Sequence, residues 1–448
     1  MTVFDIQKQA CPCGREHTCD VKKILIGKNT LQALPSELAE LGVKKPFLLC
    51  DANTYRAAGE RVEGLLTDAD MVFATYVFPD THPEPNEYTV GSAVMHFDKT
   101  CDCILGVGSG VIGDVSKILA NMTDSPYVIV ATAPSMDGYA SATSSMSRGG
   151  LKVSLPSRCA DVIIGDTDIL KNAPAEMLVS GLGDMLAKYV SIAEWRISHV
   201  LTGEYYCEEI ARLVRTSLQA CVDHVDGLLR REDRAVEAVF RGLVYCGMAM
   251  SLAGVSRPAS GMEHYFSHLW DMRGEEFGTP TSTHGIQCAL GTLLAARLYD
   301  SVKSVTPQSD TALAYARSFD TDAWNQQLRD FLGKGAEQMI LQERKEGKYD
   351  PQKHADRIRT IVARWGEITE IMEREIPSAA RIEAILDTIG CPKTIEEIGL
   401  DADILPMTLR ASKDIRDKYI LSRLLWDIGL LDEYAEQMAD CPDREEKI

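Results

Sequence analysis

The sequence predicts an α/β N-terminal domain, Rossmann-like with a parallel sheet, followed by an all-α C-terminal domain, with the active site in the interdomain cleft. Three observations predict it. Short apolar runs rich in branched residues alternate with helix-period segments over 44–168. A glycine-rich turn, Gly106-Val-Gly108-Ser109-Gly110-Val111-Ile112-Gly113-Asp114, leaves one such run and opens a helix. Past Asn172-Ala-Pro174, long amphipathic segments replace strand signals. The boundary is set at residue 170, giving 1–170 as the α/β domain and 171–448 as the helical domain.

In chain order, Phe47 to Cys50, Met71 to Phe78, Ile104 to Val107 and Tyr127 to Ala131 read as buried strands bounded by Gly, Pro or Asp. Helices are expected near 54–66, 86–97 and 111–121 between them. A hairpin follows, turning at Arg148-Gly-Gly150. The helical half carries candidate helices over 176–197, 205–225, 234–253, 263–272, 285–299 and 415–437, with peripheral helices over the polar stretch 300–366.

Composition narrows the function classes. The chain has 448 residues, with 66 acidic against 47 basic side chains and a net charge of −19, which argues against nucleic-acid and anionic-membrane partners. No run of about 18 apolar residues suggests a membrane span. The N-terminus lacks a signal-peptide core and the 13 cysteines are odd in number, so a reduced, cytoplasmic protein is expected. One cysteine cluster, Cys11, Cys13 and Cys19 with His17, has metal-competent side chains, although four ligands within nine residues would be cramped and a frayed arm is the plainer reading.

Three segments carry chemistry. In the glycine turn, Gly108-x-Gly110-x-x-Gly113 fits the dinucleotide fingerprint, and the helix start offers unpaired N–H groups to a pyrophosphate. The glycines follow the third strand rather than the first, so the acidic ribose partner is sought at Asp51, which favours NAD over NADP. The second segment holds three of the nine histidines. Ser260 and Glu263 read as a capping box, placing His264 and His268 on one helix face, and His284 stands at the start of another helix. Asp184, amid apolar residues, is either a third ligand or the partner of Lys188 in a buried pair. In the third, Thr132-Ala-Pro-Ser135-Met-Asp137-Gly-Tyr-Ala-Ser141, the hydroxyls suit a cofactor and Asp137 suits substrate hydroxyls; a polar turn is the plainer reading.

The blocks GVGSGVIGDVSK, TAPSMDGYAS, GLGDMLAK, SGMEHYFSH and THG, in that order, resemble the dehydroquinate-synthase-like and iron-containing alcohol dehydrogenase superfamily. The TAPSMDGYAS and SGMEH blocks point towards its glycerol-1-phosphate branch. The resemblance implies a divalent metal, zinc or nickel, held by Asp184, His264 and His284, with His268 and Asp137 acting on the substrate. It implies that Gly110, Val111, Ile112, Gly113 and Asp114 hold the phosphates of NAD or NADP, with Gly108 and Ser109 also on the cofactor, and that Thr132, Ser135 and Ser141 line the nicotinamide side. The implied reaction interconverts dihydroxyacetone phosphate and sn-glycerol 1-phosphate by hydride transfer, in a homo-oligomer. Lys188, Arg257 and Lys152 are candidates for the substrate phosphate. A polyol dehydrogenase, a dehydroquinate-synthase-like cyclase and a non-catalytic sensor are the alternatives.

Overall fold

The computed structural model describes residues 11–80, 83–149 and 151–439. The chain divides into two compact units, Met1–Met185 with Glu208–Ala259, and Leu186–Cys207 with Ser260–Ile448.

The first unit is built on six parallel strands: β1 (Lys23–Gly27), β2 (Pro46–Asp51), β3 (Ala74–Phe78), β4 (Cys103–Gly108), β5 (Tyr127–Ala131) and β8 (Val162–Asp166), in the order β1-β8-β5-β4-β2-β3. Strands β2, β4, β5 and β8 are buried along their whole length, as a sheet covered on both faces requires. The four expected strands are present. The outer pair β1 and β8 completes the sheet, β1 with every residue only half-buried and so weakly patterned. The hairpin is present too: β6 (Thr143–Arg148) and β7 (Leu151–Pro156) run antiparallel, with Arg148 opposite Leu151.

Strand order explains where a ligand can sit. Neighbours β2 and β4 pair in parallel, but the chain leaves β2 towards β3 on one side and β4 towards β5 on the other. Connections diverging from adjacent strand ends open a crevice there. Asp51 ends β2 and Gly108 ends β4, so both candidate cofactor segments share this switch point.

Helices complete the first unit. Asp233–Ala253 is the one described helix long and apolar enough to cross a membrane, but 67% of its apolar window is buried inside the fold, as befits a core helix. It lies beside Glu208–Asp223 and beneath the 138–140 turn.

Every secondary-structure element among the described residues of the second unit is a helix. The expected helix over 176–197 is two helices, Ala175–Leu186, nearly all of it in the first unit, and Lys188–Thr202 in the second, interrupted at Ala187. The tail over 415–437 is likewise broken, into Leu421–Asp427 and Leu431–Ala439, because Gly429 takes a left-handed φ of 77°. The polar stretch forms Ser309–Ser318, Thr321–Leu332, Gly335–Glu346 and Pro351–Glu375, whose apolar stripes bury residues such as Trp324, Leu328 and Phe331.

Candidate active site

In the sheet unit the glycine turn leads from β4 into the helix Gly110–Thr123. Ser109 stands at the N-cap position but its side chain makes no cap bond; its hydroxyl lies 2.5 Å from that of Ser135. The first N–H groups of Gly110, Val111 and Ile112 therefore keep the polarity that favours a bound phosphate. Thr132, directly after β5, donates its N–H to Gly108 O at 3.1 Å.

A buried cation ties this turn to the next loop. Lys117 Nζ donates to Asp114 Oδ1 at 3.1 Å, Gly138 O at 2.5 Å, Ser141 Oγ at 3.1 Å and Thr143 O at 3.1 Å. Asp114 Oδ2 also accepts the Ser145 N–H at 3.2 Å. The carboxylate of Asp114 and the hydroxyl of Ser141 thus hold the two loops in register through one ammonium group. Sequence reasoning quoted Lys117 without giving it this role; its signal is a lysine one helical turn past the aspartate, facing the same way.

The 132–141 loop is clamped from the far side by Ala175–Leu186. A side chain at Gly181 would place its Cβ 1.7 Å from Pro134 O, so only glycine admits the loop. Ser180 Oγ donates to Ser135 O at 3.0 Å, and the Asp137 N–H donates to Asp184 Oδ2 at 2.9 Å. Asp184 is fully buried, with its carboxylate oriented by that bond. Asp51 is engaged locally: Oδ1 accepts from Asn53 N at 2.7 Å and Thr54 N at 2.9 Å, capping the helix after β2. Of the phosphate candidates, Arg257 and Lys188 are buried, 2% and 1% exposed, and the Lys152 side chain lies outside the described residues.

In the helical unit, Met262–Phe277 carries His264 and His268, and His284 opens His284–Val302. The expected capping box is corrected. Gly261, not Ser260, is the N-cap, and it has no side chain with which to cap. Glu263 does reach back, Oε1 accepting the Gly261 N–H at 2.7 Å, while Glu194 Oε2 accepts the Met262 N–H at 2.9 Å. A capping aspartate or serine is replaced by a carboxylate from another helix.

The three imidazoles converge. Ring centroids lie 5.0 Å apart for His264 and His284, 6.5 Å for His264 and His268, and 6.3 Å for His268 and His284. Cys288, one turn past His284, puts its Sγ 3.6 Å from His284 Nε2. His264, His284 and Cys288 each offer a ligand atom, all within 4.8 Å of one another. Sequence reasoning missed Cys288, although its spacing of four residues from His284 is a helical ligand spacing.

The electrostatics suit a metal. Burial first, then the charges of Lys188, His284, His268 and Lys418, push His264 well below the ordinary imidazole range, so it is neutral. Its Nδ1 lies 2.9 Å from Glu263 Oε1, a hydrogen bond rather than an ion pair, with Nδ1–H donating and Nε2 left as the basic nitrogen. A carboxyl group orienting an imidazole in this way is the outer support of many metal sites. Burial and the neighbouring Glu194 push the Glu263 carboxyl up to about 8. Its Oε2 is buried with no hydrogen-bond partner among the described residues. These donors fit a divalent ion of the zinc type, and the glycine turn fits a dinucleotide.

The comparisons agree. Residues 25–174 match the family model for iron-containing alcohol dehydrogenase. A glycerol-1-phosphate dehydrogenase (NAD(P)+) from Halalkalibacterium halodurans is 31% identical over 293 residues, 64% of this chain and 73% of the relative. The chain belongs to the glycerol-1-phosphate dehydrogenase family. Another member, from Geobacillus stearothermophilus, is 25% identical over 410 residues, 91% of this chain and 92% of its own. This chain shares its fold with glycerol dehydrogenase from Schizosaccharomyces pombe, at TM-score 0.60 and 17% identity over 95% of this chain and 92% of that one. An iron-containing alcohol dehydrogenase from Thermococcus thioreducens has TM-score 0.61 and 13% identity, covering 95% and 100%.

Proposed function

We propose that this chain interconverts dihydroxyacetone phosphate and sn-glycerol 1-phosphate by hydride transfer, using NAD(P) and one divalent metal, zinc or nickel. The observation that carries the proposal is the convergence of His264, its ring held by Glu263, with His284, in a chain of this family. A metal held by Asp184, His264 and His284 would act as a Lewis acid towards a carbonyl oxygen, and NAD(P) would carry the hydride. Cys288 is an additional candidate ligand.

The chain's own residues then have the following work. Glu263 holds the His264 ring through Nδ1, so that Nε2 would be the atom offered to a metal. His268, one turn further along the same helix face, carries the proton to or from the substrate oxygen through a ring nitrogen. The helix start at Gly110 receives the pyrophosphate, with Ser109 and Ser135 held beside it. Asp51 has Oδ1 committed to its helix cap, which leaves Oδ2 as the acceptor for a ribose hydroxyl. Asp137, anchored through its N–H to Asp184, is the candidate contact for the substrate hydroxyls. We further expect a homo-oligomer, read out by light scattering.

The test offers zinc- or nickel-loaded protein NADH with dihydroxyacetone phosphate, and separately NAD with glycerol. Oxidation of NADH that requires the phosphorylated ketone supports the proposal. Turnover of glycerol alone rejects it in favour of a polyol dehydrogenase.

A further inference from the structure

Near the N-terminus a second group of metal-competent side chains lies within the sheet unit. Cys11-Pro12-Cys13-Gly14 forms a tight turn, the Gly14 N–H donating to Cys11 O at 2.9 Å. Proline sits where such a turn wants a fixed φ, and Gly14 takes the left-handed φ of 78° that ends it. The turn sends two thiols, two residues apart, towards His17. Cys11, Cys13 and His17 each offer a ligand atom, all within 4.8 Å of one another.

His17 supplies the second observation. It is 4% exposed, and its Nδ1 lies 2.8 Å from Leu252 O. Leu252 is in the last turn of Asp233–Ala253, where carbonyls lack intrahelical partners. Nδ1 must therefore carry the proton and donate it, which leaves the Nε2 lone pair facing Cys13 Sγ at 3.3 Å. Sulfur and nitrogen bound to one tetrahedral zinc sit ~3.5 Å apart, from Zn–S of about 2.3 Å and Zn–N of about 2.0 Å. An imidazole fixed by a backbone carbonyl on one nitrogen and aimed at thiols with the other is built as a ligand.

The expected grouping is corrected in one member. Cys19 is not part of the trio: its thiol pairs with Cys159, which holds it below the ordinary thiol range. The cramping anticipated for four ligands within nine residues is thereby relieved, since three of those four remain.

We propose that Cys11, Cys13 and His17 form a second, structural zinc site that fastens the N-terminal arm to the C-terminal end of the helix Asp233–Ala253. Zinc would replace the thiol protons of Cys11 and Cys13, releasing both to solvent, with no change of oxidation state. Thiolate and imidazole donors select zinc over magnesium or calcium.

The test measures metal in full-length protein purified anaerobically, loaded with zinc and desalted. Cys13→Ser should bind one zinc fewer per chain than wild type, with turnover retained, because no residue of the proposed chemistry is altered. Zinc content unchanged in Cys13→Ser overturns the site. A readout without any change to the trio uses cobalt(II) in the His264→Ala/Cys288→Ser variant. One cobalt per chain with thiolate-to-metal charge-transfer absorption is expected; absence of that absorption, or Cys11 and Cys13 recovered as a disulfide with no metal bound, refutes the site.

Discussion

The two units handle buried carboxylates in opposite ways. In the sheet unit they mostly accept backbone N–H groups: Asp51 from Asn53 and Thr54, Asp166 from Leu31 and Asp168, Asp161 from Tyr127, and Asp184 from Asp137. In the helical unit they chiefly accept from side chains. Asp427 takes Arg357 through both nitrogens, at 2.8 and 2.9 Å, and Tyr419 OH at 2.8 Å. Asp414 takes Lys413 Nζ at 2.9 Å, Trp324 Nε1 at 2.9 Å and Tyr349 OH at 2.5 Å. The difference follows from backbone accounting. Strand ends and loops leave donors unspent, whereas a helix consumes its own N–H groups beyond the first turn. Glu194 and Glu263 obey the same logic, since the backbone groups they accept stand at helix starts.

Four substitutions test this contrast. The largest effect is expected from His264→Ala, which removes an oriented donor from the helical unit: turnover should fall to background with metal content reduced by one ion. Wild-type turnover in that variant would dismiss His264 as a ligand. Next comes Asp427→Asn, which leaves the buried Arg423 and the half-buried Arg357 without their carboxylate and should cost about 3–5 kcal/mol in urea unfolding. The pH dependence follows in sign. Burial opposes the charge on Asp427, but Arg423 and Arg357 hold its carboxyl below the usual range. Its folded pKa is thus below the unfolded one, so its contribution is complete above about pH 4 and lost as pH falls further. Acid unfolding should be less steep in Asp427→Asn than in wild type; equal steepness would contradict the assignment.

Gly181→Ala should cost about 1–3 kcal/mol and displace the 132–141 loop, since the obstacle is the backbone oxygen of Pro134 rather than a movable side chain. Stability and NAD(P) affinity both at wild-type level would show that the loop yields freely. The smallest effect is expected from Asp51→Asn. Both cap bonds fall on Oδ1, which asparagine retains, so stability should change by less than about 0.5 kcal/mol. The same chemical change, Asp to Asn, thereby separates the two units by several kcal/mol. A large loss at Asp51 would erase the distinction.

Much of the sheet unit was legible because its signals are local. Branched apolar runs mark strands that are buried on both faces, Gly149 and its neighbours mark a hairpin, and glycines mark the turn after β4. The histidines were legible as metal-competent residues through their i, i+4 spacing. The outer strand β1 was not, being half-buried along its length and carrying no distinctive pattern. Ser260 was misread as a cap because a shift of one residue at a helix start turns a side chain by about 100°. Cys19 was grouped with its sequence neighbours, yet its thiol turns to Cys159, 140 positions away.

By itself, then, the sequence determined the kinds of element, their order and the types of side chain available for chemistry, since periodicity, glycine and spacing act over a few residues. Only the tertiary structure decided which donors meet: Lys117 with the 138–143 loop, His17 with Leu252, Glu194 with the start of the His264 helix. Those partners lie from 21 to 235 residues apart along the chain, and a buried polar group is satisfied by whatever folding brings within hydrogen-bond reach.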